Sequence, residues 1–472
     1  MDFKRIQGRI LIREKIERID LPAAVLKIFN VIHKYGSEAY VVGGCVRDTI
    51  IGRPVHDWDI CTSVLAVDIQ RIFEEKCYQV IPTGLQHGTV TVMIDGVGYE
   101  ITTFRRDGEY SDGRHSDHVE FTSNLVSDLA RRDFTMNAIA YNPDFGFVDP
   151  FCGMEDIKDK LIRCVGNPED RFSEDALRIL RAIRFACQLD FNLDPSIGWT
   201  IGYTDIREKL SQISSERIQG EFMKMIVCKS FPDRLMWHHK IFEVFVQEWK
   251  NMFMWQNNPY HIYNVVQHSV NVMKSLQHPY DDDKVLLLAA MFHDIGKPKC
   301  FQDDESGVRH FKGHGRVSAD MTDEILRRLR FDNTTREKVV ELIHYHDATF
   351  EIGRKYILRW LRKLGVKQFQ RLLQLRRADI MAQNPEYLPA RLEKLNRIES
   401  LLDDILEEKP CCTLADLKVG GYDVMRYMHL EPGKEVGDWL EEILRRVIEG
   451  QLENHRDELI QWMTDAYEGK DG

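Results

Sequence analysis

The sequence predicts an α+β protein, with a small α/β head at its N-terminal end and a mostly helical remainder. Between residues 39 and 148, short apolar runs alternate with turn signals, whereas from about residue 170 the apolar residues recur at helical spacing. The chain has 472 residues, which is too long for one hydrophobic core, so we expect two to four domains. The predicted domains are residues 1–150, 151–230, 231–390 and 391–472.

Each element of the head has a local signature. The run "AYVVGG" at 39–44 is apolar and ends in a glycine pair, which is typical of a buried strand followed by a turn. The segment "LAVDIQRIFEEKCYQV" at 65–80 has the apolar spacing of a helix. The segment "TVTVMIDGVGYEITTF" at 89–104 alternates apolar and polar residues around Asp95-Gly96, which predicts a hairpin.

Composition limits the class of protein. No stretch approaches the roughly 18 uninterrupted apolar residues of a membrane-spanning helix, so we expect no membrane partner. The first 20 residues are too charged for a signal peptide, and the ten cysteines form no C-x-x-C pair, so we expect a cytoplasmic protein without a disulfide framework. The net charge of −11 disfavours a protein that coats nucleic acid non-specifically.

The segment "VVGGCVRDTIIGRPVHDWDI" combines a glycine turn with two acids. A strand that ends in Gly43-Gly44 and leads into a helix lets backbone N–H groups approach an anion, and Arg47 lies within reach of the same phosphate. Asp57 and Asp59 are two residues apart, so their carboxylates share one face of a strand. Two carboxylates beside a phosphate-binding turn suit Mg²⁺ ions that assist phosphoryl transfer.

The first 190 residues contain several further motifs in order. The glycine turn and "DWDI" together with these motifs resemble the class II tRNA nucleotidyltransferases and bacterial poly(A) polymerases, a branch of the polymerase-β-like nucleotidyltransferases. The further motifs are "TGLQHGTVTV" (83–92), "RRDFTMNAIAYN" (131–142), "DPFCGMEDIKDKLIR" (149–163) and "EDALRILRAIRFA" (174–186).

The resemblance implies a polymerase-β-like head in residues 1–150 and a helical neck in residues 151–230 that reads the base and binds RNA. It implies that Asp57 and Asp59 are catalytic and bind Mg²⁺. The segment 104–121 resembles the flexible loop of enzymes that add the final adenosine, although Ser116 stands where the family usually has proline. The implied nucleotide-binding residues are Gly44, Arg47, Arg132, Asp175, Arg178, Arg181 and Arg184.

The pair Asp175 and Arg178 also has a direct chemical interpretation. The two residues are neighbours on one helix face, where the carboxylate can accept from an exocyclic amine and the guanidinium can donate to a ring nitrogen. Cytosine and adenine present that pattern, whereas uracil and guanine present the reverse. Arg181 and Arg184 turn away from Asp175 around the helix, so we expect them at the triphosphate or primer. The alternative is a surface helix with a salt bridge.

Eight of the 17 histidines fall between His261 and His346. The order of histidine and aspartate, with "HDIGKP" at its centre, resembles the HD phosphohydrolase domain, here in residues 231–390, and His344 is a rival to His346. Imidazole and carboxylate ligands favour Mn, Fe, Co, Ni or Zn. The alternative is a helical scaffold without metal. The ligands that the resemblance implies are His268, His293, Asp294 and Asp379 for a principal metal, with His314 and His346 for a second.

A basic run with no intervening acid extends from Arg354 to Arg377, and either a solvated helix face or an RNA contact would explain it. The C-terminal residues 391–472 resemble the tRNA-binding tail of CCA-adding enzymes.

These inferences predict template-independent addition of C, C and A to the tRNA 3′ end from CTP and ATP by two-metal nucleotidyl transfer. A phosphohydrolase activity of the HD domain is a second expectation. Two alternatives in the same class stay open, an A-adding tRNA nucleotidyltransferase and a poly(A) polymerase. An alternative from another class is an HD phosphodiesterase whose head only binds nucleotide or RNA. The sequence leaves the oligomeric state open.

Overall fold

The computed structural model describes residues 18–107, 119–276, 283–408 and 411–468. The chain divides into two compact units, Met1–Phe245 and Val246–Gly472. The first unit contains a mixed sheet, whereas the described part of the second is helical apart from one two-stranded sheet, so the α+β prediction is confirmed. The finer division into four domains stays a prediction, and Ser116 with most of its loop lies outside the described residues.

The strands of the head form a seven-stranded sheet with the order β3-β4-β5-β2-β1-β8-β9. The described strands of both units, in chain order, are β1 (Ala39–Val42), β2 (Ile60–Thr62), β3 (Gln79–Gly84), β4 (Thr89–Ile94), β5 (Val97–Thr103), β6 (Arg105–Asp107), β7 (Val119–Phe121), β8 (Ala140–Asn142), β9 (Gly146–Val148), β10 (Leu161–Ile162), β11 (Asn192–Leu193), β12 (Gln302–Asp303) and β13 (Arg309–His310). Outside the large sheet, β6 pairs with β7, β10 with β11 and β12 with β13.

Local sequence explains the sheet's hairpin. Asp95 and Gly96, with φ of 53° and 82°, join β4 to β5, and Ile94 pairs with Val97, as expected for a two-residue turn. Strand β2 instead pairs in parallel with β5, and Ile60 lies beside Ile101. The residues just before this pair therefore also lie side by side, which brings positions 59 and 100 together at the same end of these two neighbouring strands.

The first unit has twelve described helices, which cover the sheet or follow it along the chain. They are α1 (Ala23–Lys34), α2 (Gly44–Ile51), α3 (Ala66–Glu74), α4 (Leu125–Ala130), α5 (Gly153–Lys158), α6 (Pro168–Glu174), α7 (Leu177–Leu189), α8 (Pro195–Gly202), α9 (Thr204–Glu208), α10 (Ser215–Met225), α11 (Phe231–Trp237) and α12 (His239–Phe245).

The described part of the second unit has eleven helices, and no described helix of the chain is long and apolar enough to cross a bilayer. They are α13 (Val265–Leu276), α14 (Lys284–Phe292), α15 (Lys297–Cys300), α16 (His314–Arg328), α17 (Asn333–Tyr345), α18 (Arg354–Leu364), α19 (Val366–Met381), α20 (Leu388–Glu407), α21 (Gly421–Tyr427), α22 (Lys434–Ile448) and α23 (Arg456–Glu468).

Helix α14 is the centre of the second unit. Its residues from Leu286 to Phe292 are all buried, as expected of a helix that is apolar on every side. It packs against α13, α17 and α19, while α16 packs against α17. The residues that follow α14 therefore emerge in the middle of a helical bundle, an arrangement that can build a metal site from facing helices.

The basic run between Arg354 and Arg377 is engaged within the fold. All six of its arginines pair with carboxylates, which favours the interpretation of a packed and solvated surface over that of an RNA contact. The pairs are Arg354 with Glu408, Arg359 with Glu449, Arg362 with Glu441, Arg371 with Asp283, Arg376 with Asp379 and Arg377 with Glu399.

Candidate functional site

The glycine turn lies between β1 and α2. Gly43 has φ 82° and ψ −127°, a conformation that residues with a side chain rarely adopt. A Cβ placed on Gly43 would lie 2.9 Å from Nη1 of Arg132, and a Cβ on Gly44 would lie 3.8 Å from Nη2 of Arg47. Two guanidinium groups therefore lie close to the two glycines at the start of α2, which is a suitable arrangement for a phosphate.

The two arginines of this turn differ in how far the protein already satisfies them. Arg47 is buried and donates to both carboxylate oxygens of Asp48, at 3.0 and 2.9 Å, and to Oδ1 of Asn137 at 2.7 Å. Arg132 makes only a long contact of 3.5 Å with Asp128, and its buried Nε has no hydrogen-bond partner among the described residues. Arg132 therefore keeps more donors for a ligand than Arg47 does.

Asp57 and Asp59 lie in the extended segment that leads into β2, and both are exposed. The Val42 N–H donates to the Asp59 carbonyl at 3.0 Å, which aligns this segment with β1. Desolvation by the surrounding protein raises the pKa of Asp59, Arg132 lowers it, and Glu100 and Asp57 raise it further. An acid whose pKa is raised by neighbouring carboxylates is suited to bind a cation.

Glu100 is the third carboxylate of this group, and our sequence reasoning missed it. It stands on β5 beside Asp59, because Ile60 pairs in parallel with Ile101. The alternating segment "VGYEITT" contains Glu100 on an otherwise apolar and neutral strand, but no sequence signal states which strand lies next to β2. Glu100 therefore adds a third carboxylate near the two aspartates, although among the described residues these three do not offer ligand atoms that all lie within 4.8 Å of one another.

Asp175 and Arg178 lie at the start of α7, and they have different ionic partners. Asp175 accepts from Arg217 Nη2 at 2.7 Å, and its other oxygen accepts from the Leu177 N–H. Arg178 donates to Glu174 at 2.5 Å and to the Arg131 carbonyl at 3.4 Å. The start of α7 is thereby fixed against the segment that contains Arg132.

Arg181 and Arg184 are also paired with carboxylates. They follow Arg178 by about one and two turns of α7. Arg181 donates to Asp133 Oδ2 at 2.8 Å, and this pair lowers the pKa of the buried Asp133 against the effect of burial. Arg184 donates to Glu221 of α10 at 2.5 Å. Burial lowers the pKa of Arg184, and Glu221 opposes that effect, so the pair joins two helices in the interior.

The ring of Phe185 is surrounded by guanidinium groups. Arg184 lies 3.9 Å from the ring centroid, Arg47 4.9 Å and Arg181 5.6 Å. The faces of an aromatic ring attract cations, so Phe185 helps to gather three like charges in one place. This concentrates positive charge beside the glycine turn, since Arg47 belongs to both groups.

The second unit contains a buried cluster of histidines and aspartates. His268, His293 and Asp294 offer ligand atoms within 4.8 Å of one another, and all three are buried. Asp379 joins them, because its Oδ1 lies 3.0 Å from His268 Nε2. The four residues that the sequence assigns to a principal metal are therefore brought together, although they come from three separate parts of the chain.

A second set of ligands shares Asp294 with the first. Asp294, His314 and His346 also offer ligand atoms within 4.8 Å of one another. Oδ1 of Asp294 lies 3.3 Å from His314 Nε2, while Oδ2 lies 3.2 Å from His293 Nε2. One carboxylate thus serves both sets. The ring of His344 instead packs against the ring of Tyr345, with 4.5 Å between the ring centroids.

Backbone carbonyls fix the orientation of the four histidine rings. Because a carbonyl only accepts, each Nδ1 must carry the proton, which leaves the Nε2 lone pair of the neutral ring for a metal. The contacts are His268 with Ala382 at 3.3 Å, His293 with Ala290 at 2.8 Å, His314 with Phe311 at 2.8 Å and His346 with Ile343 at 2.6 Å.

The cluster fits a pair of transition-metal ions. Nε2 of His314 and Nε2 of His346 are only 3.1 Å apart, so two lone pairs face each other unless a cation lies between them. Nε2 of His293 is buried and makes no hydrogen bond within the described residues. Nitrogen and carboxylate ligands of this kind favour Mn, Fe, Co, Ni or Zn.

Lys297 lies against this cluster and was not among the predicted site residues. It is buried, and its Nζ lies 2.7 Å from Asp294 Oδ2 and donates to Gln256 Oε1 at 2.7 Å. Burial would raise the pKa of Asp294, but His293 and Lys297 lower it well below the usual range. Its place in "HDIGKP", three residues after the aspartate, is the signal that could have identified it.

Three parts of the chain match known families. Residues 39–163 match the poly A polymerase head domain, residues 203–253 match the probable RNA and SrmB-binding site of polymerase A, and residues 316–463 match a putative domain 2 of tRNA nucleotidyltransferase. These parts of the chain are therefore similar to the head and helical domains of tRNA nucleotidyltransferases and poly(A) polymerases. Nucleotidyltransferases of this family use a divalent metal, generally Mg²⁺.

Curated relatives match less than half of this chain. A CCA-adding enzyme of Lactobacillus johnsonii is 50% identical over 202 residues, which are 43% of this chain and 49% of that protein. A CCA-adding enzyme of Lactobacillus helveticus is 47% identical over 212 residues, 45% of this chain and 52% of the relative. The chain thus spans about half the length of the curated relatives that it matches.

Solved structures match this chain over nearly its whole length. The Bacillus stearothermophilus CCA-adding enzyme in complex with CTP has 27% identity and a TM-score of 0.69, over 95% of this chain and 98% of that one. The Thermotoga maritima CCA-adding enzyme complexed with tRNA has the same fold at 19% identity, with a TM-score of 0.58, over 99% of this chain and 98% of that one.

Proposed function

We propose that this nucleotidyltransferase adds C, C and A to the 3′ end of tRNA from CTP and ATP without a nucleic-acid template. The observation that carries the proposal is the group of three carboxylates, Asp57, Asp59 and Glu100, beside a glycine turn that two arginines flank. The likeness to a CCA-adding enzyme in complex with CTP supports the choice of substrates. The ten cysteines are free, which suits an enzyme of the reducing cytoplasm.

In this proposal each group of residues has a separate task. Mg²⁺ bound by the three carboxylates would neutralise charge at the reacting phosphate and favour attack by the tRNA 3′-hydroxyl on the α-phosphorus. The N–H groups at the start of α2 and the guanidinium of Arg132 bind the triphosphate. Asp175 and Arg178 read the Watson–Crick edge of the base, which requires them to exchange a present partner for the nucleotide.

One experiment separates this function from its rivals. Purified protein is incubated with labelled CTP or ATP and with tRNA that lacks CCA or ends in CC. Incorporation of both nucleotides is expected, whereas incorporation of ATP alone on the CC-ending tRNA would indicate an A-adding enzyme, and long A tails a poly(A) polymerase. Asp57→Ala should abolish addition of both nucleotides, and Asp175→Ala should mainly impair the choice of base. Retained C and A addition by Asp57→Ala would contradict the metal assignment.

We propose a second function for the cluster in the second unit, hydrolysis of phosphate esters. The observation in its favour is the shared carboxylate of Asp294, flanked by histidines whose Nε2 atoms point inward. Metal ions at these ligands would lower the pKa of a bound water and neutralise the charge of a phosphate. Hydrolysis of a phosphodiester that depends on added Mn²⁺, Ni²⁺ or Zn²⁺, and that His293→Ala abolishes, is the expected result. Absence of hydrolysis with every metal would contradict this proposal and leave the first untouched.

A further inference from the structure

The middle of helix α7 contacts the glycine turn through one aromatic ring. Phe185 is buried, and the guanidinium of Arg47, on the first turn of α2, lies 4.9 Å from its ring centroid. The ring of Phe134, which is also buried, meets Phe185 edge to face with 5.8 Å between the centroids. The Phe185 ring therefore has a fixed place between the turn that faces a phosphate and the helix that begins beside the base-reading pair.

Hydrogen bonds within the protein leave part of the Arg47 guanidinium for a ligand. Its Nε and Nη2 donate to Asp48 and its Nη1 donates to Asn137, so one N–H on each Nη has no acceptor within the described part of the chain. Nη2 also lies 3.8 Å from the position that a Cβ would take on Gly44. These two N–H groups are therefore the ones that can donate to a phosphate at the turn.

Arg47 shares the ring with two further guanidinium groups. Arg184 and Arg181 lie 3.9 and 5.6 Å from the ring centroid. Each of them also pairs with a carboxylate, Arg184 with Glu221 and Arg181 with Asp133. Three like charges around one ring repel one another, and the negative faces of the ring offset that repulsion most strongly where water is excluded. An aliphatic side chain of similar size would fill the same space without this attraction.

We propose that Phe185 is a positioning residue for nucleotidyl transfer, because its ring holds the Arg47 guanidinium in the orientation that directs the two remaining N–H groups to the triphosphate. The negative face of the ring does this, rather than its apolar volume. The choice of base is separate, since Asp175 and Arg178 have ionic partners of their own. This inference rests on the nucleotidyltransferase function proposed above and adds the residue that fixes one of its phosphate-binding arginines.

The test replaces Phe185 by 3,4,5-trifluorophenylalanine, introduced through an amber codon. The fluorinated ring has nearly the same shape, but its face no longer attracts a cation. Inorganic tripolyphosphate, which has no base, is the probe of the phosphate site, and calorimetry with Mg²⁺ present measures its Kd. This Kd and the KM for CTP and for ATP should all rise by the same factor, roughly five- to tenfold. The preference for CTP over UTP should stay unchanged, whereas a general loosening of α7 would lower it.

Phe73 supplies the matched control. It is buried in the same unit and meets Tyr78 edge to face at 5.8 Å, but among the described residues no guanidinium lies over its ring. Trifluorophenylalanine at this position should leave Kd and KM unchanged. Phe185→Leu should weaken the binding of tripolyphosphate at least as much as the fluorinated ring does, whereas Phe185→Tyr, which keeps a negative face, should bind nearly as the unsubstituted protein does.

A double-mutant cycle identifies the arginine on which the ring acts. In the Arg47→Met variant, fluorination of Phe185 should not change the Kd of tripolyphosphate any further. An effect of the same size in both backgrounds would assign the ring to Arg181 or Arg184 and overturn the inference. An unchanged Kd for the fluorinated protein beside a raised Kd for Phe185→Leu would also overturn it, since the ring would then act by its volume alone. Because calorimetry needs no tRNA, loss of tripolyphosphate binding on fluorination in a protein that adds no nucleotide would refute only the proposed function.

Discussion

Replacement of Gly43 by alanine tests the phosphate site of the head directly. At φ 82° and ψ −127° a side chain is strained whatever lies around it. The new methyl group would also lie 2.9 Å from Nη1 of Arg132, which is closer than a Cβ atom normally approaches another heavy atom, so one of the two groups must move. Since the guanidinium is the end of a flexible side chain, it should move away from the turn while the backbone stays in place.

The expected losses follow from these two effects. The strained backbone should lower the free energy of unfolding by about 1–3 kcal/mol, which corresponds to about 3–9 °C in Tm for a unit of this size. Displacement of Arg132 removes a charge-assisted hydrogen bond to the triphosphate, worth about 1.5–3 kcal/mol. We therefore expect kcat/KM to fall by roughly ten- to a hundredfold, equally for CTP and ATP, because this site does not contact the base.

Gly52→Ala is the matched control for this prediction. Gly52 ends the same helix α2 with φ 81°, and a Cβ there would meet no atom within 4 Å. It should lose about 1–2 kcal/mol of stability and keep its activity. The assay is addition of labelled CTP to tRNA lacking CCA and of ATP to tRNA ending in CC, beside thermal unfolding. A Gly43→Ala variant that is destabilised but adds both nucleotides at the normal rate would refute our account of the turn.

Three further predictions concern buried or shared charges. Glu221→Ala leaves Arg184 buried without its acid and should lower the free energy of unfolding by about 3–5 kcal/mol, measured in denaturant. The double variant Glu221→Leu with Arg184→Met should recover most of that loss. Equal losses in the single and the double variant would contradict this account. Because the pKa of Asp59 is raised, its charged form opposes folding at pH values above the ordinary aspartate pKa. Asp59→Asn should therefore raise Tm at pH 7, by an amount that shrinks as the pH falls. A difference in Tm that does not depend on pH would refute the raised pKa of Asp59. A chelator should lower the melting temperature of the Val246–Gly472 unit in the unsubstituted protein. It should not change the melting temperature of the Asp294→Ala variant, since Asp294 belongs to both ligand sets. Equal melting of the unsubstituted protein with and without chelator would argue against bound metal.

The elements of the head could be predicted because their signals are local. Asp95 and Gly96 adopt the positive φ values that a two-residue hairpin requires, and the alternating residues on either side pair in register. The glycine turn before α2 and the helical spacing after residue 170 are likewise properties of neighbouring residues. Such features depend on local backbone conformation and on which side of an element is apolar. Both can be predicted from residues that are close together in the sequence.

Partners far apart in the sequence could not be predicted in this way. Asp175 pairs with Arg217, 42 positions away, and no spacing rule distinguishes Arg217 from Lys224, the other basic residue of α10. The basic run from Arg354 to Arg377 suggested an RNA contact as readily as a solvated surface, until its arginines were found beside carboxylates of other segments.

The sequence by itself therefore determined the class of fold, the glycine turn with its two acids, and the histidines and aspartates available for a metal. Only the tertiary structure decided that Glu100 joins Asp59 and that the carboxylate of Asp294 serves two ligand sets. The physical reason is that ligand geometry and charge pairing depend on distances across the packed core. Strand order and helix packing set those distances, and neither is encoded in any short stretch of residues.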